Sequence, residues 1–220
     1  MREAVACGVL RLPIAARALS AQHLAAAVDA LRTGGVVAFP TETFYGLAVD
    51  PRSALAVRKI YSLKGRPADQ PLPLIAASLE QVAEQVGSIT ALASRLASRG
   101  WPGPLTLIIP ASPLLCPDVH LSTGKVAVRV PDDPIARALA ASAGHPITST
   151  SANVSGQPPC STPEQVVEAF GDRLDVLDVL IDGGPTPGGL PSTIVDASGD
   201  APVLVRAGAI AWDRVLEFLH

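Results

Sequence analysis

Val36-Val37-Ala38-Phe39-Pro40-Thr41-Glu42-Thr43-Phe44-Tyr45-Gly46 changes from an apolar run to a polar loop at a single proline. The four apolar residues predict a short strand, and Pro40, which has no N–H to give a ladder, stops it. Thr41 to Gly46 then form a polar loop directly after that strand, where α/β proteins hold their ligands. Upstream, Ser20 is placed to cap a helix whose apolar positions Leu24, Ala27, Val28 and Leu31 repeat at helical spacing, and Gly34-Gly35 closes it. Downstream, Ser53 opens a second helix through Leu55, Val57, Ile60, Tyr61 and Leu63 that ends near Gly65.

The same alternation continues along the chain. Residues 71–77 predict a short strand whose two prolines rule out a regular central ladder. Helices follow over 79–86 and 89–98. Trp101-Pro102-Gly103-Pro104 is a rigid turn into a strand over 105–109, and 126–130 is another. Pro131-Asp132-Asp133-Pro134 opens a helix through Ala143, and Thr162-Pro163-Glu164 starts one with good N-terminal chemistry. Strands over 176–181 and 192–195 flank the glycine- and proline-rich stretch 183–189, which reads as an active-site or lid loop. A strand over 203–206 and a helix over 210–219 complete the order. With no linker or repeat in between, this predicts a single α/β domain over 1–220, built on a twisted, mixed, partly parallel sheet with flanking helices.

Hydrophobic residues make up 48% of the 220 residues and charged ones 17%, a globular balance with few aromatics. No apolar run is long enough for a membrane span, and Met1 to Cys7, with an early acid, is a poor signal peptide. A cytoplasmic protein with no membrane partner is expected. The three cysteines, Cys7, Cys116 and Cys160, are scattered and suggest neither a disulfide framework nor a zinc site. The four histidines are equally scattered. Glycine-rich dinucleotide, P-loop and Gly-x-Ser-x-Gly patterns are absent, so a nucleotide would need a different cradle. A net charge of −3 argues against a dedicated nucleic-acid binder but leaves room for a local basic groove at Arg58, Lys59, Lys64 and Arg66.

Two segments carry chemistry. In Lys64-Gly65-Arg66-Pro67 two cations stand two residues apart. Pro67 disfavours helical backbone at Arg66, so 64–66 is expected to be extended or in a turn, with both side chains solvent-facing and able to reach one ligand. A mobile ammonium and a planar guanidinium together suit a polyphosphate. In Ser149-Thr150-Ser151-Ala152-Asn153, strand periodicity puts Ser149, Ser151 and Asn153 on one side and Thr150 and Ala152 on the other. Hydroxyls and an amide suit a small polar ligand that is held. The two segments together predict a pocket for a nucleotide and a small metabolite.

The chain resembles the YrdC-like family of TsaC-type threonylcarbamoyl-AMP synthases, in its short, single-domain form. The matching segments are 39–47, 64–72, 101–106, 126–131, 149–156, and 181–184 followed by 191–193, in the family's order across roughly residues 20 to 210. The resemblance implies a YrdC-like domain with an open central cleft. It implies condensation of L-threonine, bicarbonate (or CO2) and ATP to threonylcarbamoyl-adenylate with release of pyrophosphate. Partner proteins of the t6A transferase complex then pass the group to adenosine 37 of tRNA. By this resemblance Lys64, Arg66, Ser151 and Asn153 form the catalytic tetrad around ATP. Gln70, Lys125, Pro159 and Arg206 match further nucleotide contacts. Thr43, Arg129, Ser149 and Ser192 match threonine contacts, with Arg129 on the carboxylate. No acid cluster in the sequence looks like a metal cage, so Mg2+ is expected to arrive with ATP. The chain has Ile75 where longer relatives carry a histidine at the threonine site, and Phe44 where valine is usual. Two other readings remain open: a double-stranded RNA-binding or ribosome-maturation factor, and a carbamoyl-transfer module. The second lacks its usual accompanying domains here.

Overall fold

The computed structural model describes residues 3–4, 8–15, 19–67 and 69–220, with side chains from residue 8 onward. The expectations placed on Cys7 and the rest of the extreme N-terminus, and on Ala68 of the 64–72 segment, lie outside the described residues. The elements in order are β1 (Glu3–Ala4), β2 (Leu10–Pro13), α1 (Ala21–Arg32), β3 (Val37–Phe39), β4 (Gly46–Ala48), α2 (Ala54–Lys64) and β5 (Leu74–Ile75). Then come α3 (Leu79–Gln81) with a π turn (Val82–Val86), α4 (Ala91–Gly100), β6 (Leu105–Pro110), α5 (Pro117–His120), β7 (Lys125–Arg129), α6 (Pro134–Ala143), β8 (Ile147–Thr148) and β9 (Thr150–Ser151). The chain finishes through α7 (Pro163–Phe170), a 3-10 turn (Gly171–Val176), β10 (Val179–Asp182), β11 (Thr193–Asp196), β12 (Val203–Arg206) and α8 (Trp212–Glu217).

The α/β alternation and the mixed pairing match the expectation, with the strands divided between two sheets. One runs β1-β2-β10-β3-β4-β9 and the other β12-β11-β6-β7-β5-β8. In the first, β10 lies parallel to β2 and β3, while β4 is antiparallel to β3 and β9. In the second, β11 is parallel to β6, β6 antiparallel to β7, and β7 parallel to β5. Apolar patterning marks a strand but carries no information on its pairing partner, so the division is invisible in the sequence. The sequence does not announce β4, whose three residues are too few to display a period of two.

The two sheets join where β8 passes into β9 through one residue, Ser149. Thr148 has no exposed surface, and its hydroxyl accepts from Val49 N at 2.9 Å and donates to Leu47 O at 3.2 Å. Ser149 N donates to Pro73 O at 2.8 Å. The backbone groups that the change of sheet leaves without ladder partners are thereby satisfied.

Helices cover both sheets. Leu24, Ala27, Val28 and Leu31 of α1 and Ile135, Ala136, Leu139 and Ala140 of α6 share a core with Val37, Val179 and Ile181. A larger core combines Val57, Ile60 and Leu63 of α2 and Leu92 and Leu96 of α4 with Leu47, Leu107 and Val128 from both sheets. Each large aliphatic side chain buried this way contributes roughly 1.5–3 kcal/mol. Ser53, Asp133 and Thr162 cap α2, α6 and α7 by accepting from the backbone N–H three residues on. Ser20 holds the N-cap position of α1, but its hydroxyl meets the His23 ring at 3.1 Å instead.

After β12 the chain is laced back onto 191–193. Ala209 N donates to Pro191 O at 2.8 Å, and Thr193 Oγ1 donates to Ile210 O at 2.6 Å. The approach needs Gly208, because a Cβ there would stand 2.3 Å from Pro191 O and 2.5 Å from Thr193 N. Gly208→Ala is expected to destabilise by about 2 kcal/mol, lowering Tm by roughly 5 °C. A melting curve superimposing on the wild type would contradict this close contact.

Candidate active site

Three neighbouring strands of the second sheet build a cleft floor from alternate residues. Thr106 and Ile108 of β6, Lys125, Ala127 and Arg129 of β7, and Ile194 and Asp196 of β11 all line it. Their neighbours Leu105, Leu107, Ile109, Val126, Val128, Thr193 and Val195 point the other way and are buried. This is the period of two in a pleated sheet, with one face given to the core and the other to a ligand. The cleft holds about 870 Å³. Its walls are the β3–β4 loop with Thr41, Thr43 and Phe44, the stretch 71–74, the Ser149 to Asn153 segment, and Pro191 and Ser192.

Ten residues expected at the site come together on this surface: Thr43, Arg66, Lys125, Arg129, Ser149, Ser151, Asn153, Pro159, Ser192 and Arg206. Thr150 joins them, because the chain changes sheets at Ser149 and the simple alternation breaks there. Three expectations are corrected. Lys64 is not solvent-facing, and the expected turn begins only after it, at Gly65. Lys64 is the last residue of α2 and only 2% exposed. Gly65 at φ 58° ends the helix in the left-handed region, and Arg66 N returns to Tyr61 O at 3.0 Å. Pro67 restricts only the residue before it, so Lys64 was free to stay helical. Gln70 is exposed and lies off the cleft wall, and its carbonyl takes the Tyr61 hydroxyl at 2.8 Å. Ile75 is buried in the α1–α6 core, and its neighbour Leu74 reaches the cleft.

The Lys64 ammonium is turned inward. It donates to the Ser151 carbonyl, to Asn153 O at 2.7 Å and to Asn153 Oδ1 at 3.2 Å. The Asn153 amide donates onward to Val154 O at 2.9 Å and Gln157 O at 2.6 Å. Lysine and the Ser-x-Asn loop are therefore one unit, with the lysine standing behind the wall. Burial, with the Arg66 charge adding to it, pushes Lys64 down to about 8.

Cations dominate the open surface. Burial lowers the pKa of Arg66, Arg129 and Arg206, and the Arg129 charge lowers Arg206 further. Arg206 donates to Ser192 O at 2.7 Å and to Ser192 Oγ at 3.1 Å, and Ser192 Oγ meets Thr106 Oγ1 at 2.8 Å. Arg129 pairs with Glu42. Lys125 pairs with Asp196 at 3.0 Å, and Asp196 also accepts from Ser198. Fixed guanidinium groups among hydroxyls form a surface suited to carboxylate and phosphate. Sequence reasoning missed Glu42, Thr106 and Asp196 here. Thr106 had a signal, as a polar residue within the apolar run 105–109. Glu42 had none, since a lone acid in a polar loop reads as solvated. Among the described residues no group of three or more His, Cys, Asp or Glu could hold a metal. No helix among them is long and apolar enough to cross a membrane.

The family model described as Telomere recombination (Sua5, YciO and YrdC) matches residues 29–208. Threonylcarbamoyl-AMP synthase from Bacillus subtilis is 42% identical over 194 residues, covering 88% of this chain and 55% of that protein. The chain thus spans about half the length of this relative. The protein of the same name from Vibrio campbellii is 43% identical over 173 residues, covering 77% of this chain and 91% of its own length. The crystal structure of Pyrococcus abyssi Sua5 complexed with L-threonine superposes with a TM-score of 0.86 at 36% identity, over 95% of this chain and 60% of that one. With the model matched over most of its length, and a shorter relative matched nearly end to end, this chain belongs to the Sua5/YciO/YrdC family.

Proposed function

We propose that this chain is a nucleotidyltransferase that joins L-threonine, bicarbonate or CO2, and ATP into L-threonylcarbamoyl-adenylate, the first step towards t6A at adenosine 37 of tRNA. One observation carries the reading: Arg66, Arg129 and Arg206 converge on a single cleft faced with serine and threonine hydroxyls. The reaction needs such a site. The threonine amine attacks CO2 and loses a proton to give a carbamate. A carbamate oxygen then attacks the α-phosphorus of ATP, and pyrophosphate leaves. Two anions must meet, so fixed cations in a partly dry cleft lower the barrier.

Arg129 takes the threonine carboxylate, while Thr43, Ser149 and Ser192 surround the rest of the amino acid. Arg66 and Arg206 face the triphosphate, and Lys125 and Pro159 lie along the nucleotide. Ser151 presents its hydroxyl to the phosphates, and Asn153, on the cleft wall with its amide tied to Lys64, Val154 and Gln157, holds the loop that faces them. Lys64 works through that loop as a positioning residue, and its charge reaches the phosphates from behind. Mg2+ would come in with ATP and would screen the phosphate charge as pyrophosphate leaves. We read 1–220 as one YrdC-like domain, acting in the cytoplasm and passing its product to the t6A transferase proteins.

Double-stranded RNA or tRNA on the same cations is the competing reading. The net charge of −3 and the engagement of Lys125 by Asp196 favour the nucleotide. Pyrophosphate release with ATP, Mg2+, bicarbonate and L-threonine, with single-component dropouts and product mass, tests the proposal. Release that ignores threonine would overturn it. RNA affinity falling steeply with salt, without turnover, would support the alternative.

Two further outcomes are expected. Lys64→Ala orphans the Ser151 and Asn153 carbonyls, so it should lose stability as well as turnover. About 2 kcal/mol in denaturant titration is the expected scale. ATP phosphates should restore the lysine's proton affinity. ATP binding at pH 9, between the folded value of about 8 and the ordinary lysine value, should therefore take up about one proton. At pH 7, where Lys64 is already charged, uptake should be near zero. Calorimetry in buffers of differing ionisation enthalpy reads this directly, and no buffer dependence at pH 9 would refute it.

Ser192→Ala removes the hydroxyl shared with Thr106 and the weaker Arg206 bond to it, but leaves the Ser192 carbonyl, where Arg206 keeps two bonds. The KM for threonine should rise about fivefold while the KM for ATP stays within about twofold. Equal changes in both would contradict the assignment of Ser192 to the amino acid.

A further inference from the structure

Glu42 lies between Thr41 and Thr43, which both line the cleft, but it is not itself on the cleft wall. Its Oε1 pairs with Arg129 Nη1, and the two side chains are only 17% and 9% exposed. Its other oxygen, Oε2, is buried without a hydrogen-bond partner. Arg129 does line the cleft, and the bond to Glu42 is the one its guanidinium makes among the described residues. A planar guanidinium gripped on one side keeps its remaining N–H donors in a fixed plane. Here the grip comes from behind the wall, which leaves donors for the cleft.

The charges point the same way. Burial works against the Arg129 cation, and Glu42 is the first charge to counter it, ahead of Asp133. Arg206, on the same cleft, opposes Arg129 as a like charge. A fixed carboxylate behind one of two neighbouring cations lowers the cost of holding both in a half-dry site.

We infer that Glu42 is a positioning residue for the substrate's carboxylate: it clamps Arg129 from behind so that the free donors meet the incoming anion. This deepens the threonine end of the function proposed above and rests on that reading. The opposite role would be a stand-in carboxylate that the substrate must displace. A stand-in would occupy the cleft-facing donors with both oxygens, whereas Glu42 uses one oxygen and stays off the wall.

The test compares wild type, Glu42→Gln and Glu42→Asp. L-threonine is titrated calorimetrically, and threonine-dependent pyrophosphate release is measured with KM for threonine and for ATP. Glu42→Gln keeps the shape and removes the charge. It should weaken threonine about tenfold in Kd and KM, with the KM for ATP held within about twofold. Glu42→Asp keeps the charge at shorter reach and should weaken threonine about threefold. A general packing defect would not leave ATP untouched while moving threonine. Threonine binding that is unchanged or tighter in Glu42→Gln overturns the inference, and tighter binding identifies the stand-in. If Glu42→Gln does not fold, a wild-type threonine Kd in Glu42→Asp overturns it equally. Wild type that binds threonine without releasing pyrophosphate sinks the synthase reading, while the titration still decides Glu42. Wild type that fails to bind L-threonine overturns both.

Discussion

Between β8 and β9 a single residue, Ser149, carries the chain from one sheet into the other, and that crossing sets one wall of the cleft beside its floor. A change of sheet within one residue strands backbone donors and acceptors in a buried place. Thr148 satisfies some with its hydroxyl, and the Lys64 ammonium gathers the carbonyls of Ser151 and Asn153 just beyond. The local stability of the seam and the arrangement of the polar loop thus have the same cause. A lysine whose charge is partly spent on carbonyls tolerates burial, since charge-assisted hydrogen bonds offset part of its lost hydration. Its depressed proton affinity records the part that is not offset.

The second constraint is electrostatic. Arginines opposing one another in a cleft are unfavourable in an empty site, and each has a neutral or acidic partner that makes the arrangement tolerable. Arg206 rests on the Ser192 carbonyl, Arg129 on Glu42, and Arg66 on the Pro71 carbonyl at 3.0 Å. These partners hold the guanidinium groups apart and in place. Anions entering the cleft then meet donors that need little reorganisation, which is how a preorganised site lowers a barrier.

Much of this was legible in the amino-acid order. Helix caps at Ser53, Asp133 and Thr162, the closing Gly65, and the apolar face of α1 all followed from local chemistry, because each depends on residues within a few positions. The polar loop after the 36–39 strand, and the hydroxyl run at 149–153, marked two walls of the cleft before any pairing was known. The reading went astray where a residue's surroundings come from distant chain. Lys64 looked exposed because nothing near it in sequence supplies the carbonyls that bury it. The resemblance put Ile75 at the threonine site, but the direction of its side chain in a two-residue strand is set by the neighbours β7 and β8.

What the sequence alone determined was most of the elements, their order, and the kinds of chemical group available, since propensity, capping and periodicity act over short range. What only the tertiary structure decided was which strands share a sheet, which face of β6, β7 and β11 meets the cleft, and which cations stand free. Those depend on register and burial, and both arise from contacts between residues that the chain itself keeps far apart.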